Sequence, residues 1–139
     1  MSGDDQNPTG IELAFVPADE RFLDWTIAGT VEYDGKRIIV AAASKDMGTI
    51  KTMRTVLERC AVWSVDHTDR IFDFLNRSLN EDQGIGIELG ALILSKVVFH
   101  ESLDHGEYFS IWCDCAGGDV IAFVSLDDYS FIGPAEVYW

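Results

Sequence analysis

Residues 25–43 read WTIAGTVEYDGKRIIVAAA, and this stretch determines how the fold begins. Two runs rich in β-branched and aromatic residues, Trp25–Tyr33 and Lys36–Ala43, flank the pair Asp34-Gly35. An Asp-Gly pair between such runs is the strongest short-range signal for a β-hairpin, because both turn positions require a positive φ. The stretch therefore predicts two antiparallel strands joined by a two-residue turn.

The residues before the hairpin predict a tail and a short strand. Residues 1–10 are polar and include Gly and Pro, so we expect a disordered N-terminal tail. Ile11–Val16 alternates apolar and polar residues and is followed by Pro17, a pattern typical of an edge strand. We expect residues 11–139 to form a single domain, because 139 residues is close to the usual size of one domain.

The apolar residues change their period after the hairpin. In Met47–Ser64 they recur every three or four residues, which predicts an amphipathic helix. The motif Asp66-His67-Thr68-Asp69 resembles a capping box and predicts a second helix that reaches about Glu81.

The rest of the chain predicts a β-meander. Its strands are Leu92–His100, Glu107–Cys115 and Val120–Leu126, followed by a last segment, Phe131–Trp139. Because short turns join these runs, the pattern favours antiparallel pairing. The order of hairpin, two helices and meander predicts an α+β fold: an antiparallel β-sheet packed against two helices in a single two-layer domain.

The charge of the chain limits its partners. The formal net charge is −14, and residues 97–139 contain eight acids but no Lys or Arg. This charge disfavours nucleic acid, which is bound through Lys and Arg, and disfavours an anionic membrane surface. No apolar run approaches the ~20 residues of a membrane-spanning helix, and the N-terminus lacks a signal-peptide pattern. We therefore expect a cytoplasmic protein with neither a nucleic-acid nor a membrane partner.

The chain contains residue types that take part in catalysis, but their spacing does not match a catalytic or metal-binding motif. Cys113 and Cys115 fall on one face of a strand, where two small buried hydrophobic residues are a simpler interpretation than metal ligands. No nucleophile elbow, phosphate-binding loop or zinc-ligand spacing occurs. We expect no enzyme activity, no cofactor and no metal. The alternative is a small metal-binding domain or an enzyme that uses the Asp, His and Cys residues after His100.

Alternation along Glu107–Cys115 places Tyr108, Trp112 and Asp114 on the face opposite the helices. Aromatic side chains beside acids indicate a contact surface for a basic protein. The alternative is that Tyr138 or Trp139 covers Trp112. The predicted partner-binding residues are Glu107, Tyr108, Trp112, Asp114, Asp119, Asp127, Asp128 and Tyr129.

The layout resembles that of small acidic bacterial domains among the immunity proteins of polymorphic toxin and contact-inhibition systems. The matching stretches are Trp25–Val40 around Asp34-Gly35, the segment from Leu89 to Val98, and Tyr108–Trp139. The resemblance implies a cytoplasmic antidote that binds a cognate toxin domain, covers its active site or an adjacent surface, and performs no chemistry. A general interaction or oligomerisation module, with a homodimer formed through the last strand, is the remaining alternative.

Overall fold

The computed structural model describes residues 14–17, 25–44, 47–89, 92–102, 106–115 and 118–138. The N-terminal half contains β1 (Ala14–Pro17), β2 (Trp25–Tyr33), β3 (Lys36–Ser44), α1 (Met47–Asp66) and α2 (Thr68–Asn76), which continues into the π-helical turn Arg77–Asp82. The C-terminal half contains β4 (Ile93–Ser102), β5 (Gly106–Cys115), β6 (Gly118–Ser125) and β7 (Glu136–Tyr138). The predicted disordered tail, residues 1–10, lies outside the described residues.

The strands of the described residues form one sheet in chain order, from β1 at one edge to β7 at the other. With two helices packed on it, this sheet confirms the predicted α+β fold. The prediction of an entirely antiparallel sheet is wrong at one place, because β3 and β4 run parallel, with Val40 opposite Val97. The two helices form the crossover that a parallel pair requires, and they return the chain to the end at which β3 began.

The predicted hairpin is confirmed. Asp34 and Gly35 adopt φ values of 52° and 75°, so both turn positions occupy the left-handed region that a two-residue turn needs. The register pairs Tyr33 with Lys36 and Val31 with Ile38. Val31 and Ile38 are both fully buried, so this register places the apolar residues of both strands on the face that the helices cover.

The core lies between the helices and that face of the sheet. Leu57 and Cys60 of α1, together with Ile71 and Leu75 of α2, are fully buried, as the helical periodicity predicts. The sheet contributes residues that are equally buried, namely Val31, Ile38, Val40, Val97, Phe109, Ile111, Val120, Ala122 and Val124.

The predicted capping box at Asp66–Asp69 is wrong. Helix α1 extends through Asp66, and α2 starts at Thr68 with no side-chain cap. The Thr68 hydroxyl instead donates to the carbonyl of Val65 at 2.8 Å, and the Ile71 N–H donates to the His67 carbonyl at 3.0 Å. The Thr68 hydroxyl thus satisfies a carbonyl at the end of α1, and α2 begins with its N–H groups bonded to the backbone and without a side-chain cap.

The last predicted strand, Phe131–Trp139, is interrupted. Phe131 bridges Val124, but β7 pairs with β6 only from Glu136, which lies opposite Ile121. Over three residues of β6 the facing chain advances by five residues, so it contains a bulge of two extra residues. The bulge spans residues 133–135.

Two side chains of the π-helical turn region hold this bulge. The Ala135 N–H donates to Ser78 Oγ at 2.8 Å, and Gln83 Nε2 donates to the Ala135 carbonyl at 3.0 Å. Gln83 Nε2 also lies 3.1 Å from Ser78 Oγ. Ala135 is only 2% exposed, so its backbone groups need these partners inside the protein.

We predict that Ser78→Ala lowers the free energy of unfolding by about 1–3 kcal/mol, because the buried Ala135 N–H loses its acceptor. Urea denaturation measures the change. The matched control is Arg77→Ala at the next position, which removes an exposed ion pair with Asp73 and is expected to cost ~0.5 kcal/mol or less. Equal losses in the two variants would contradict this role of Ser78.

Candidate functional site

The sheet has an outer face, which we define as the face opposite the helices. On β5 the alternation is as predicted: Phe109, Ile111 and Cys113 are buried in the core, whereas Tyr108 and Trp112 point to the other side. The register of β4 and β6 against β5, and of β7 against β6, identifies the residues of these neighbouring strands that lie on the same face. Its residues on the C-terminal strands are Lys96, Val98, His100, Tyr108, Ser110, Trp112, Asp114, Asp119, Ile121, Phe123, Glu136 and Tyr138.

Trp112 lies half-buried at the centre of the outer face. The ammonium group of Lys96 lies 4.2 Å from the centre of its ring, and the Tyr138 ring stacks with it at 5.9 Å and 12°. Ile121, directly across from Trp112 on β6, is 1% exposed although α1 and α2 pack on the opposite face of the sheet. Of the two predictions for Trp112, the structure therefore supports the one in which Tyr138 covers part of it.

Ser110 contacts two outer-face side chains, Trp112 and His100, and through His100 it is linked to Tyr108. The Trp112 Nε1–H donates to Ser110 Oγ at 3.0 Å, and His100 Nε2 lies 2.8 Å from the same oxygen. The His100 ring stacks on Tyr108 at 4.9 Å, and burial lowers the pKa of His100. Ser110 is 1% exposed, and its hydroxyl oxygen already accepts the Trp112 N–H. It is therefore not an accessible nucleophile, despite its contact with a histidine. The contact instead orients the aromatic rings.

Two acids face each other at one end of the outer face. Asp114 and Asp119 are directly opposite in the register of β5 and β6. A hydrogen bond to the Asp119 side chain raises the pKa of Asp114, with smaller contributions from burial and from the Asp119 charge. A hydrogen bond between two carboxyl groups requires a proton, so this pair retains a proton more readily than an isolated Asp.

Three other predicted acids gather at the opposite end of β5. Glu107, the second residue of β5, alternates with Phe109 and Ile111 and so lies on the helix side of the strand, not on the outer face. Its carbonyl accepts the N–H of Leu126 at 3.1 Å, which places it beside the turn that holds Asp127 and Asp128. All three acids are exposed. Asp128 accepts the Ser130 hydroxyl at 2.7 Å and its N–H at 3.1 Å, and these bonds lower the pKa of Asp128.

Tyr129 lies on the other side of the sheet from the outer face. Its ring stacks on Trp63 of α1 at 5.3 Å and meets Phe109 of the core edge-on at 6.2 Å. Its φ of 55° turns the chain toward the helices. The other predicted aromatic residues, Tyr108 and Trp112, share the outer face, whereas Tyr129 is part of the helix-side packing.

The thiols are poor candidates for chemistry. Burial raises the pKa of Cys60 and of Cys113 to about 12, and it also raises the pKa of the half-buried Cys115. A protonated thiol is neither a good nucleophile nor a metal ligand. Within the described ranges, no group of three or more His, Cys, Asp or Glu side chains could hold a metal ion. His105 lies outside those ranges.

None of the helices in the described residues is long and apolar enough to cross a membrane. Comparison of the chain with protein-family models, curated proteins and solved structures gave no match.

We predict that Asp114→Asn stabilises the protein at pH 7 by less than about 1 kcal/mol, because it removes repulsion across an exposed strand pair. In the folded protein the pKa of Asp114 is raised above its ordinary value of 3.8. The stability that its proton confers is therefore fully present below 3.8 and is lost as the pH rises through the raised pKa. The stability difference between Asp114→Asn and the original protein should therefore become smaller as the pH falls toward 3.8. Denaturation series at several pH values measure it.

The control for this series is Asp127→Asn, which removes one charge from an exposed turn. If the two variants change stability in the same way at every pH, the effect comes from net charge and not from the Asp114–Asp119 contact.

We predict that Tyr129→Leu lowers the free energy of unfolding by about 1–2 kcal/mol, because it removes the aromatic contacts with Trp63 and Phe109. Tyr129→Phe keeps the ring and should remain within ~0.5 kcal/mol of the original protein. Thermal or urea denaturation separates the two variants. Equal stability of the Leu and Phe variants would contradict a packing role for this ring.

Proposed function

We propose that this chain is a cytoplasmic immunity-type protein that binds and neutralises a cognate basic toxin domain of a bacterial toxin system. The outer face, with the acids at its two ends, is the proposed contact surface. The observation that carries the proposal is the placement of Tyr108, Trp112, Asp114 and Asp119 together on a sheet face that the helices leave uncovered. The resemblance of the sequence to immunity proteins supplies the toxin as the partner.

The charge distribution supports a basic partner. Residues 97–139 contain no Lys or Arg, so β5, β6 and β7 present only carboxylates as charged side chains. The two groups of acids lie at opposite ends of β5, where the seven residues from Glu107 to Asp114 span about 23 Å of strand, with the Glu107 side chain on the helix side and Asp114 on the outer face. Acids at that spacing around an aromatic centre would attract a cationic surface and orient it before contact.

Two cations, Lys96 and Arg37, have contacts within the described residues. Lys96 lies over the Trp112 ring. Arg37 donates from Nε to the Glu32 carboxylate at 2.9 Å and forms a salt bridge with it. Both cations therefore have partners within the protein, and the charge of Lys96 remains beside the outer-face acids.

The homodimer alternative has less support. An added strand needs a row of free backbone groups at a sheet edge, and β7 provides only the three residues Glu136–Tyr138. Two of these three side chains are exposed, one of them charged. A short edge with a charge is typical of strands that avoid pairing with a second copy.

The first test is protection. The polypeptide encoded by the adjacent reading frame is expressed with and without this chain, and growth is measured. We expect co-expression to restore growth and the two proteins to purify as a complex. A neighbour without toxicity, or toxicity that this chain does not relieve, would refute the immunity function.

The second test measures how the acids act. In the triple variant Asp114→Asn, Asp119→Asn, Asp127→Asn, we predict association with the toxin about tenfold slower at low salt, with a smaller change in dissociation. The control triple variant Asp69→Asn, Glu81→Gln, Asp82→Asn changes exposed acids of the helix layer and has the same net charge, −11 instead of −14.

Association is measured by stopped flow over a range of salt concentrations. We expect the original protein to lose its advantage over the outer-face variant as salt screens the acids. If both triple variants slow association equally, net charge explains the rate. If salt has no effect on the original protein, the acids do not steer the partner.

A further inference from the structure

A cavity of about 200 Å³ opens on the outer face beside β7. Two aromatic rings form one wall, and the bulge before β7 forms the other. Its lining residues are Tyr108, Phe123, Ile132, Gly133, Pro134 and Glu136.

The bulge creates this cavity. The Ile132 N–H donates to the Phe123 carbonyl at 2.8 Å, so the chain is still paired with β6 at that point. It then leaves β6, and Ala135 is drawn to the helix layer by Ser78 and Gln83 before pairing resumes opposite Ile121. Residues 133–135 are therefore not paired with β6 between Phe123 and Ile121, and the cavity lies beside this unpaired segment.

The aromatic wall is held in place from behind. The rings of Tyr108 and Phe123 meet edge-on at 6.3 Å and 62°. The His100 ring stacks on Tyr108 at 4.9 Å, and Ser110 holds His100 through the 2.8 Å contact at Nε2. The wall is therefore preorganised, and a ligand would not have to order these rings on binding.

A carboxylate stands at the rim of the cavity. Glu136 Oε1 accepts the Tyr138 hydroxyl at 2.8 Å, and this bond fixes the carboxylate next to the aromatic wall. Glu136 is exposed. Among the hydrogen bonds of the described residues, its second carboxylate oxygen has no partner that would compete with a ligand. None of the six lining residues is a cation.

Aromatic faces beside a carboxylate match one ligand chemistry well. A guanidinium is planar, weakly hydrated, stacks on aromatic rings and donates to carboxylates. An ammonium is more strongly hydrated and gains less from such a wall. An apolar side chain would leave Glu136 without a partner.

We propose that this cavity takes the guanidinium of an arginine side chain on the partner protein, with Tyr108 and Phe123 as the stacking wall and Glu136 as the acceptor. The proposal rests on the proposed function, because it names the anchor by which a basic partner would be held. The acids at the ends of β5 attract the partner, and this cavity fixes its position.

The probe is a short peptide, acetyl-Gly-Arg-Gly-amide, compared with the same peptide containing citrulline, which has the shape of arginine without its charge. Binding is followed by NMR through the ring signals of Tyr108 and Phe123. We expect these signals to shift with the arginine peptide and to shift much less with the citrulline peptide. Equal shifts with both peptides, or no arginine-specific shift at any concentration, overturn the proposal.

Two variants test the two parts of the cavity. Phe123→Leu removes half of the aromatic wall at nearly constant volume and should weaken the arginine peptide about two- to thirtyfold. Glu136→Gln keeps an oxygen for the Tyr138 hydroxyl but removes the charge, and should weaken it about two- to fivefold. Asp69→Asn removes one exposed charge of the helix layer and is the matched control, with no change expected.

Glu136 is exposed, so its variant reports on binding even if Phe123→Leu unfolds. Ring shifts centred on Trp112 and not on Phe123 would place the arginine elsewhere and overturn the proposal. Light scattering tests for a dimer. If the ring shifts appear only when the mass doubles, the cavity binds a second copy of this chain and the proposal is overturned.

The toxin complex separates this proposal from the proposed function. If the chain protects against the toxin and Glu136→Gln leaves the dissociation constant unchanged, the cavity is not the anchor, although the function stands. If the chain protects against no toxin and the arginine peptide still binds as described, the cavity stands and the partner is a different basic protein.

Discussion

The parallel pairing of β3 with β4 is the constraint on which the rest of this fold depends. It joins the N-terminal hairpin to the C-terminal meander through a register in which Val40 faces Val97. A parallel pair requires a crossover, and here α1, α2 and the π-helical turn form it. Because all of these helical residues lie in one connection, they cover one face of the sheet. Among the described residues, neither helix covers the outer face along β4 to β7, which carries the acids and aromatics of the meander.

Local patterns predicted the elements well, and non-local pairing explains most of what they missed. The Asp34-Gly35 turn and the alternation along β5 depend on neighbours in sequence, so both could be read from the chain. The parallel pair depends on where a long crossover returns, which no local period encodes. The contact between Ser110 and His100 likewise requires the register of β4 against β5. Tyr129 follows two acids in a turn, and only the packing of Trp63 reveals that it points to the helix layer.

The outer face contains side-chain arrangements that do not maximise the stability of the fold. Asp114 and Asp119 are placed directly opposite each other, an arrangement that costs free energy at neutral pH unless a proton is shared. A buried Ile121 and a half-buried Trp112 lie on the side of the sheet opposite α1 and α2. Proteins commonly accept such local costs where a surface has to bind something. The combination therefore supports a binding role for the outer face over a role in general solubility, which would need only dispersed surface charge.

The cavity beside β7 links that surface to the helix layer. Ala135 is buried, and its N–H and carbonyl are satisfied by Ser78 and Gln83 and not by β6. A π-helical turn is a rare geometry that is often associated with functional positions, and here it brings Ser78 to the Ala135 N–H. The shape of the outer face is thus determined in part by residues on the opposite side of the sheet.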